Sequence, residues 1–308
     1  VAALVFYRAL LQAGDLQPID AMIAALRARG LNPLPIHVTS LKEPFSAELV
    51  GAAFAEAGPS IVLNTVGFAV SGFAGDRHAS PFDAADCPVL QVVLSGGTLG
   101  AWRDSTRGLS ASDLAMNVAL PEVDGRVLSR AISFKAEARF DAATECPIVT
   151  HAVLADRVAF VADLAARWIR LRHTPAGERR IALVLANYPN RDGRIGNGVG
   201  LDTPAGPVVL LQALRDAGYT LGDIPSAGAA LMAQLLAGPT NAGGARSGGV
   251  GFALADYRAH FAALPSSVRS AVEERWGAPE NDPFVVGDRF VLALHRFGNV
   301  AVGIQPAR

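Results

Sequence analysis

The chain opens with Val1-Ala-Ala-Leu-Val-Phe-Tyr7, an unbroken apolar run that predicts a strand covered on both faces. Residues 15–29 follow, with Ile19, Met22 and Leu26 at the three-to-four spacing of an amphipathic helix. The same alternation continues along the chain, with strands predicted at 34–38, 60–66 and 88–94 and a helix at 45–57. Buried strands that alternate with helices predict a parallel sheet with helices on both faces.

A second α/β unit is predicted from residue 180 onward. Helical periodicity over 156–173 precedes a buried strand at 180–186. Further elements are a helix at 203–217, a flexible glycine-rich loop at 239–251, helices at 255–264 and 266–276, and closing strands at 290–294 and 300–304 joined near Gly298. The predicted fold class is α/β, with two Rossmann-like units, mostly parallel sheets flanked by helices, and extra helices.

Three segments are predicted from these patterns. Residues 1–150 form the first unit, whose last part is irregular, with pieces such as Ile132–Ala136 expected to be strands outside the main sheet. Residues 151–179 are predicted to link the units, and 180–308 form a second unit that is incomplete at its C-terminus. Because Val1 opens directly into a strand, we expect the chain to be an internal segment of a longer protein.

Composition narrows the class of function. Of the 308 residues, 51% are hydrophobic and 18% charged, and the formal net charge of −1 gives no general attraction to nucleic acid or acidic membranes. No window reaches the roughly 18 consecutive apolar residues of a membrane helix. The two cysteines, Cys87 and Cys146, are far apart in sequence and make neither a disulfide framework nor a metal-ligand motif. These features favour a cytoplasmic protein with no nucleic-acid or membrane partner.

Several phrases, in order along nearly the whole chain, resemble one family. They include Cys87-Pro-Val-Leu-Gln-Val-Val-Leu-Ser-Gly-Gly97, Asn187-Tyr-Pro-Asn-Arg-Asp-Gly193, Asn197-Gly-Val-Gly-Leu-Asp-Thr-Pro204 and Gln305-Pro-Ala-Arg308. The chain is similar to the CobN-type large subunit of ATP-dependent cobaltochelatase, whose relatives include the large H subunit of magnesium chelatase. The phrases at 187–193 and 305–308 favour the cobalt branch.

The resemblance implies a role in cobalamin biosynthesis. The large subunit of that family holds the tetrapyrrole while Co²⁺ is inserted into hydrogenobyrinic acid a,c-diamide. Two smaller subunits, of the AAA+ ATPase and metal-adhesion types, supply ATP hydrolysis. The complex therefore uses ATP, Mg²⁺ and Co²⁺, but this chain is expected to bind no cofactor and to be inactive alone. The sequence agrees, since it contains no Gly-x-x-x-x-Gly-Lys-Ser/Thr phosphate loop.

Candidate substrate-binding residues cluster in the loop 187–203, after a buried strand, where open α/β sheets form ligand crevices. Arg191 and Arg194 could hold ring carboxylates through paired hydrogen bonds, and Asn197 and Asp202 lie in the same loop. Alternatively, the glycine-rich loop packs on a neighbouring domain, and Asp202 caps the next helix.

Three further candidates lie elsewhere. Gln305 is near the end of a strand pair, and Arg8 follows the first strand in a similar crevice. His295 is a possible proton acceptor or metal relay, although a satisfied core or interface histidine is the simpler explanation of any single histidine. The sequence assigns no catalytic residue and no metal site. Two alternatives stay open: a magnesium-chelatase-like H subunit, and a non-catalytic two-domain module that binds a small molecule.

Overall fold

The protein divides into two compact units, Val1–His173 and Thr174–Arg308. The computed structural model describes residues 1–71, 80–198, 200–242, 246 and 248–306. The first unit contains strands β1 (Ala2–Tyr7), β2 (Pro33–Val38), β3 (Ile61–Asn64), β4 (Val89–Thr98), β5 (Val127–Asp141) and β6 (Cys146–Val153), and helices α1 (Arg8–Gln12), α2 (Gln17–Arg27), α3 (Pro44–Ala57), α4 (Leu99–Asp104), α5 (Ala111–Leu114), α6 (Leu120–Val123) and α7 (Ala155–His173).

One six-stranded sheet organises the first unit, in the order β2-β1-β3-β4-β5-β6. The first five strands are parallel, and β6 pairs antiparallel with β5. The predicted α/β class with a mostly parallel sheet is thus confirmed. The expectation that Ile132–Ala136 lies outside the main sheet is wrong, because these residues belong to β5. The pairing of β4 with β5 shifts register between Gln91 and Thr98, so the ladder is irregular there.

Helices cover both faces of this sheet. Helix α2 buries Met22 and Leu26 in the same apolar cluster as Val161 and Ala165 of α7. On the other face α3 buries Phe54 in a second cluster. Residues 155–173, predicted as part of a link between units, are therefore a packed element of the first unit, and the boundary falls between His173 and Thr174.

The second unit is built on two small sheets. It contains strands β7 (Ile181–Leu185), β8 (Val250–Ala253), β9 (Val285–Val286), β10 (Arg289–Leu292), β11 (Leu294–Phe297) and β12 (Val300–Ile304), and helices α8 (Ala205–Asp216), α9 (Gly228–Ala237), α10 (Leu254–Ala262) and α11 (Ser266–Trp276). The strand orders are β11-β12-β7 and β8-β10-β9. Among the described strands of this unit, β7 and β12 form the parallel pair, and the other pairings are antiparallel.

The end of the chain differs in detail from the predicted strands 290–294 and 300–304. The strand that pairs with β12 across Gly298 is β11, while β10 joins the other sheet. Gly298 makes this turn at φ 62°, and a Cβ there would lie 2.7 Å from the backbone oxygen of Thr220. Only glycine fits that close approach without a shift of backbone. In the described parts of both units, no helix is long and apolar enough to cross a membrane.

Candidate functional site

The carboxyl ends of β7 and β12 form the edge at which the predicted site residues of the second unit collect. The two strands run parallel, with Leu185 opposite Ile304. The backbone N–H of Gln305 then donates to the carbonyl of Leu185 at 2.9 Å. Both chain segments therefore leave the sheet at the same edge, which is where ligand crevices form in α/β sheets.

The loop after β7 is closed at its base by backbone contacts. Asn187 forms an antiparallel bridge with Ile195, and the N–H of Gly196 donates to the carbonyl of Ala186 at 2.7 Å. Farther along, a Cβ on Gly198 would lie 2.9 Å from the Oγ1 of Thr203, so a side chain there would displace that threonine. The loop is a folded structure in which a glycine permits close packing.

An ion pair anchors the tip of this loop to the chain that follows α9. A guanidinium nitrogen of Arg246 lies 2.8 Å from the Asp192 carboxylate, and another donates to the carbonyl of Leu236 at 2.9 Å. The hydroxyl of Thr240 and the charge of Arg246 hold the pKa of the Asp192 carboxyl below its usual value. Residues 243–245 and 247 of the predicted flexible loop 239–251 lie outside the described residues. In its described part, Thr240 is buried, and the side-chain amide of Asn241 donates to the carbonyl of Gln305 at 2.7 Å.

The four charged and polar candidates of the loop point outward. Arg191, Arg194, Asn197 and Asp202 are all exposed. The Asp202 carboxylate accepts from the N–H of Ala205 at 3.0 Å, as expected for a cap of α8. Within the described residues, neither Arg191 nor Arg194 has a side-chain hydrogen bond, which leaves both guanidinium groups available to an anionic ligand.

His295 and Arg8 lie elsewhere. His295 is on β11, opposite Val302, and a Cβ on Gly238 would lie 2.8 Å from its Nε2 atom. That nitrogen is buried without a partner among the described residues, and burial lowers the pKa of the imidazole. Arg8 begins α1 in the first unit and is exposed. The structure thus gathers Arg191, Arg194 and Gln305 at one edge of the second unit.

Asn187 was not a candidate from the sequence, yet it is the most unusual polar group at this edge. It is only 2% exposed, and neither its Oδ1 nor its Nδ2 atom has a partner among the described residues. Burying an amide without partners costs about 1–3 kcal/mol of folding free energy, which makes Asn187 a candidate binding group. Its position in the phrase 187–193 was the signal that could have identified it.

An apolar cavity of about 420 Å³ lies beside the same strand ends. Its wall includes Phe284, Phe290 and Leu292, with Ile304 of β12 and the polar Asn241. The volume and the mostly apolar wall are typical of a site for a small molecule or part of a larger one. The sequence could not reveal this cavity, because it forms between side chains that lie far apart along the chain.

The first unit contains a second set of buried polar contacts that sequence spacing did not indicate. The Asp15 carboxylate accepts from Lys135 at 3.0 Å and from the backbone N–H of His151 at 2.9 Å. The His151 ring lies 3.2 Å from the Ser133 hydroxyl, and burial and Lys135 lower the pKa of that imidazole. These contacts satisfy one another and fit a structural role. Among the described residues, no three His, Cys, Asp or Glu side chains are placed to hold a metal ion.

Comparison with known proteins gives one consistent result. A sequence model described as CobN/Magnesium Chelatase matches residues 1–308. The chain is 52% identical to an aerobic cobaltochelatase subunit CobN from Sinorhizobium sp over 304 residues, covering 98% of this chain and 24% of that protein. It is 45% identical to a subunit of the same name from Pseudomonas aeruginosa over 311 residues, covering 100% of this chain and 25% of that protein.

A solved structure agrees with these matches. The catalytic subunit of cobaltochelatase from Mycobacterium tuberculosis superposes with a TM-score of 0.80 at 33% identity, covering 100% of this chain and 26% of that one. The H subunit of magnesium chelatase from Rhodobacter capsulatus is more distant, at 27% identity over 97% of this chain and 26% of that protein. The chain therefore spans about a quarter of the length of the relatives that it matches.

Proposed function

Because this chain belongs to the CobN/magnesium chelatase family, we propose that it is part of the subunit that holds a corrin ring while Co²⁺ is inserted during cobalamin biosynthesis. The observation that carries the proposal is the match of nearly the whole chain to cobaltochelatase subunits, at clearly higher identity than to a magnesium-chelatase H subunit. The substrate in this proposal is hydrogenobyrinic acid a,c-diamide, and the enzyme class is a metal-chelating ligase.

The edge of the second unit offers groups that suit such a ring. Exposed Arg191 and Arg194 would bind peripheral carboxylates by charge-assisted hydrogen bonds. The amide of Asn187 can donate and accept at once, which matches a primary carboxamide on the ring; because both amide atoms are buried, the loop over them would have to move aside when the ring binds. The apolar wall of the 420 Å³ cavity would contact part of the macrocycle. His295 is kept as a proton acceptor or metal relay within this proposal.

The energy source lies outside this chain in our proposal. The full sequence contains no phosphate-binding loop of the Walker type. ATP hydrolysis would come from an AAA+ subunit, docked with a metal-adhesion-type subunit, and the complex would use ATP, Mg²⁺ and Co²⁺. The free Cys87 and Cys146 fit assembly in a reducing cytoplasm.

Metal and ring selectivity test the proposed branch. The longer subunit that contains this chain is combined with the ATPase and metal-adhesion subunits, and insertion is followed by absorbance. We expect ATP-dependent insertion of Co²⁺ into the corrin diamide and no insertion of Mg²⁺ into protoporphyrin. The reverse pattern would identify a magnesium branch. Saturable binding of a small polar ligand with no affinity for either ring would instead indicate a non-catalytic binding module.

Loss of the two exposed arginines is expected to weaken ring binding. We predict that the double substitution Arg191→Ala and Arg194→Ala lowers the affinity of the chain for the corrin diamide by roughly tenfold or more, because two charge-assisted contacts are removed. Absorbance titration of the chain measures this. Arg180→Ala is the matched control, since Arg180 is exposed just before the opposite end of β7. Equal weakening by both changes would show a non-specific charge effect and contradict the assignment.

A further inference from the structure

A separate crevice lies at the carboxyl end of the sheet in the first unit. In the strand order β2-β1-β3, the strands β2 and β3 lie on opposite sides of β1. The chain therefore reverses its direction across the sheet when it passes from β2 to β3. Loops that follow strands on either side of such a reversal separate and leave a crevice, where α/β proteins commonly bind ligands. A cavity of about 220 Å³ occupies this position. It is lined by Tyr7 at the end of β1, Ser40 and Lys42 after β2, and Gly67 and Phe68 after β3.

A buried ion pair fixes the loop that follows β3. Asp124 and Arg126 are 2.6 Å apart, and neither side chain is exposed at all. The Asp124 carboxylate accepts from the backbone N–H groups of Val70 and Ser71 at 2.7 and 3.0 Å. Arg126 also donates to the carbonyl of Val66 at 3.2 Å. Desolvating two charges is costly, and here both charges are directed at the backbone of residues 66–71.

Phe68 holds an unfavourable backbone conformation within this loop. Its φ is 63°, which is rare for a bulky residue, and its N–H donates to the carbonyl of Met116 at 2.8 Å. A Cβ on the preceding Gly67 would lie 2.9 Å from the Oδ1 of Asn117, so the loop is pressed closely on that segment. The result is a phenyl ring that lines the cavity and remains 48% exposed. Strained residues of this kind cluster at ligand sites.

The charged group of the crevice is a lysine. Lys42 is exposed, and it has no ion pair among the described residues. The neighbouring carboxylate, Glu43, instead accepts from the N–H groups of Phe45 and Ser46 at the start of α3. Ser40 and Tyr7 add hydroxyl groups, and the Tyr7 hydroxyl is 3.5 Å from the carbonyl of Gly67. The crevice therefore combines a lysine cation, hydroxyl donors and an exposed aromatic face.

We propose that this crevice binds a carboxylate carried by a planar, conjugated group, with the flat group against Phe68 and the carboxylate at Lys42. At about 220 Å³ the cavity is smaller than the roughly 300–1,000 Å³ of sites that enclose a drug-sized molecule. The occupant is therefore a small free molecule or one edge of a larger ring, and a whole tetrapyrrole does not fit. The site belongs to the first unit and does not depend on the function proposed for the second.

Ligand-observed NMR with naphthalene-2-carboxylate tests this site on the whole 308-residue chain. We expect the naphthoate to bind saturably, and Lys42→Gln and Phe68→Ala each to weaken its affinity roughly tenfold. The uncharged naphthalene-2-carboxamide should bind the unchanged chain with an affinity that is lower by a similar factor. Coproporphyrin III is then added as a competitor. Displacement of the naphthoate would favour a ring edge as the occupant, and absence of displacement would favour a small free carboxylate.

Matched variants control for charge and for exposed aromatic surface. Arg27→Gln in α2 and Phe140→Ala in β5 change exposed residues that do not line the cavity. Phe68→Leu keeps the apolar bulk but removes the planar ring, so it separates stacking from loss of fold, and circular dichroism confirms that each variant is folded. No naphthoate binding, or binding that Lys42→Gln and both Phe68 variants leave unchanged, would overturn the proposal.

Discussion

Replacing Asp124 with Asn is expected to lower the free energy of unfolding of the first unit by about 3–5 kcal/mol. The substitution keeps the shape of the side chain but leaves the Arg126 guanidinium buried without its counter-ion. Both side chains are wholly buried, so solvent cannot take over the lost contact. Hydrogen exchange of β1 and β3 amides measures the effect within this unit, independently of the second.

The same pair predicts how the first unit responds to acid. Burial alone would raise the pKa of Asp124, but hydrogen bonds from Val70 and Ser71 and the charge of Arg126 hold it below its usual value. A carboxyl with a lowered folded-state pKa stabilises the fold above its unfolded pKa of about 3.9, and this contribution is lost as pH falls through the folded pKa. The difference in stability between the wild type and Asp124→Asn should therefore narrow below about pH 4.

An exposed ion pair provides the comparison. Asp163, whose side chain is 53% exposed, pairs with Arg29 at 2.7 Å, and Asp163→Asn should lower the stability of the unit far less than Asp124→Asn does, because solvent screens the pair. If Asp124→Asn costs no more than this, the buried pair does not hold the loop after β3. In that case the argument that the loop is fixed around Phe68 loses its main support.

Local periodicity was sufficient to predict the elements that are regular in sequence. The strands β1 to β4 and the helices α2, α3 and α7 coincide with unbroken apolar runs or with helical spacing of apolar residues. The buried face of each can therefore be predicted from its own residues. Strand β5 was misplaced because its pairing with β4 shifts register and is irregular. The closing hairpin was shifted because strands of four or five residues contain too few alternations to fix their bounds.

The candidate site was predictable in position but not in its internal contacts. The loop 187–203 was expected at a strand end, and the structure places it beside Gln305. The Asp192–Arg246 pair joins residues 54 apart, and the Asp15–His151 contact joins residues 136 apart. Such partners carry no signature in a single sequence, because nothing in the spacing of polar residues shows which strands and loops will meet.

Asn187 gives the sharpest test of the function proposed for the second unit, because the same substitution should have opposite effects on stability and binding. Asn187→Leu keeps a similar shape and removes an amide that is buried without partners among the described residues, so we expect the free energy of unfolding to rise by about 1–2 kcal/mol. If the amide pairs with a ring carboxamide, the affinity for the corrin diamide should fall at least about tenfold. Denaturant unfolding measures the first effect, and absorbance titration measures the second.

Asn299 supplies the matched control for this result. Its side-chain amide donates to the carbonyl of Gly177 at 2.8 Å, in the turn at the opposite end of β12. Asn299→Leu should therefore lower stability by about 1–3 kcal/mol, because a carbonyl loses its donor, and should leave ring affinity unchanged. A loss of stability in Asn187→Leu, with unchanged affinity, would show that Asn187 has a purely structural role. A gain in stability together with a loss of affinity for the corrin diamide would instead show that the buried amide of Asn187 destabilises the fold and contributes to ring binding.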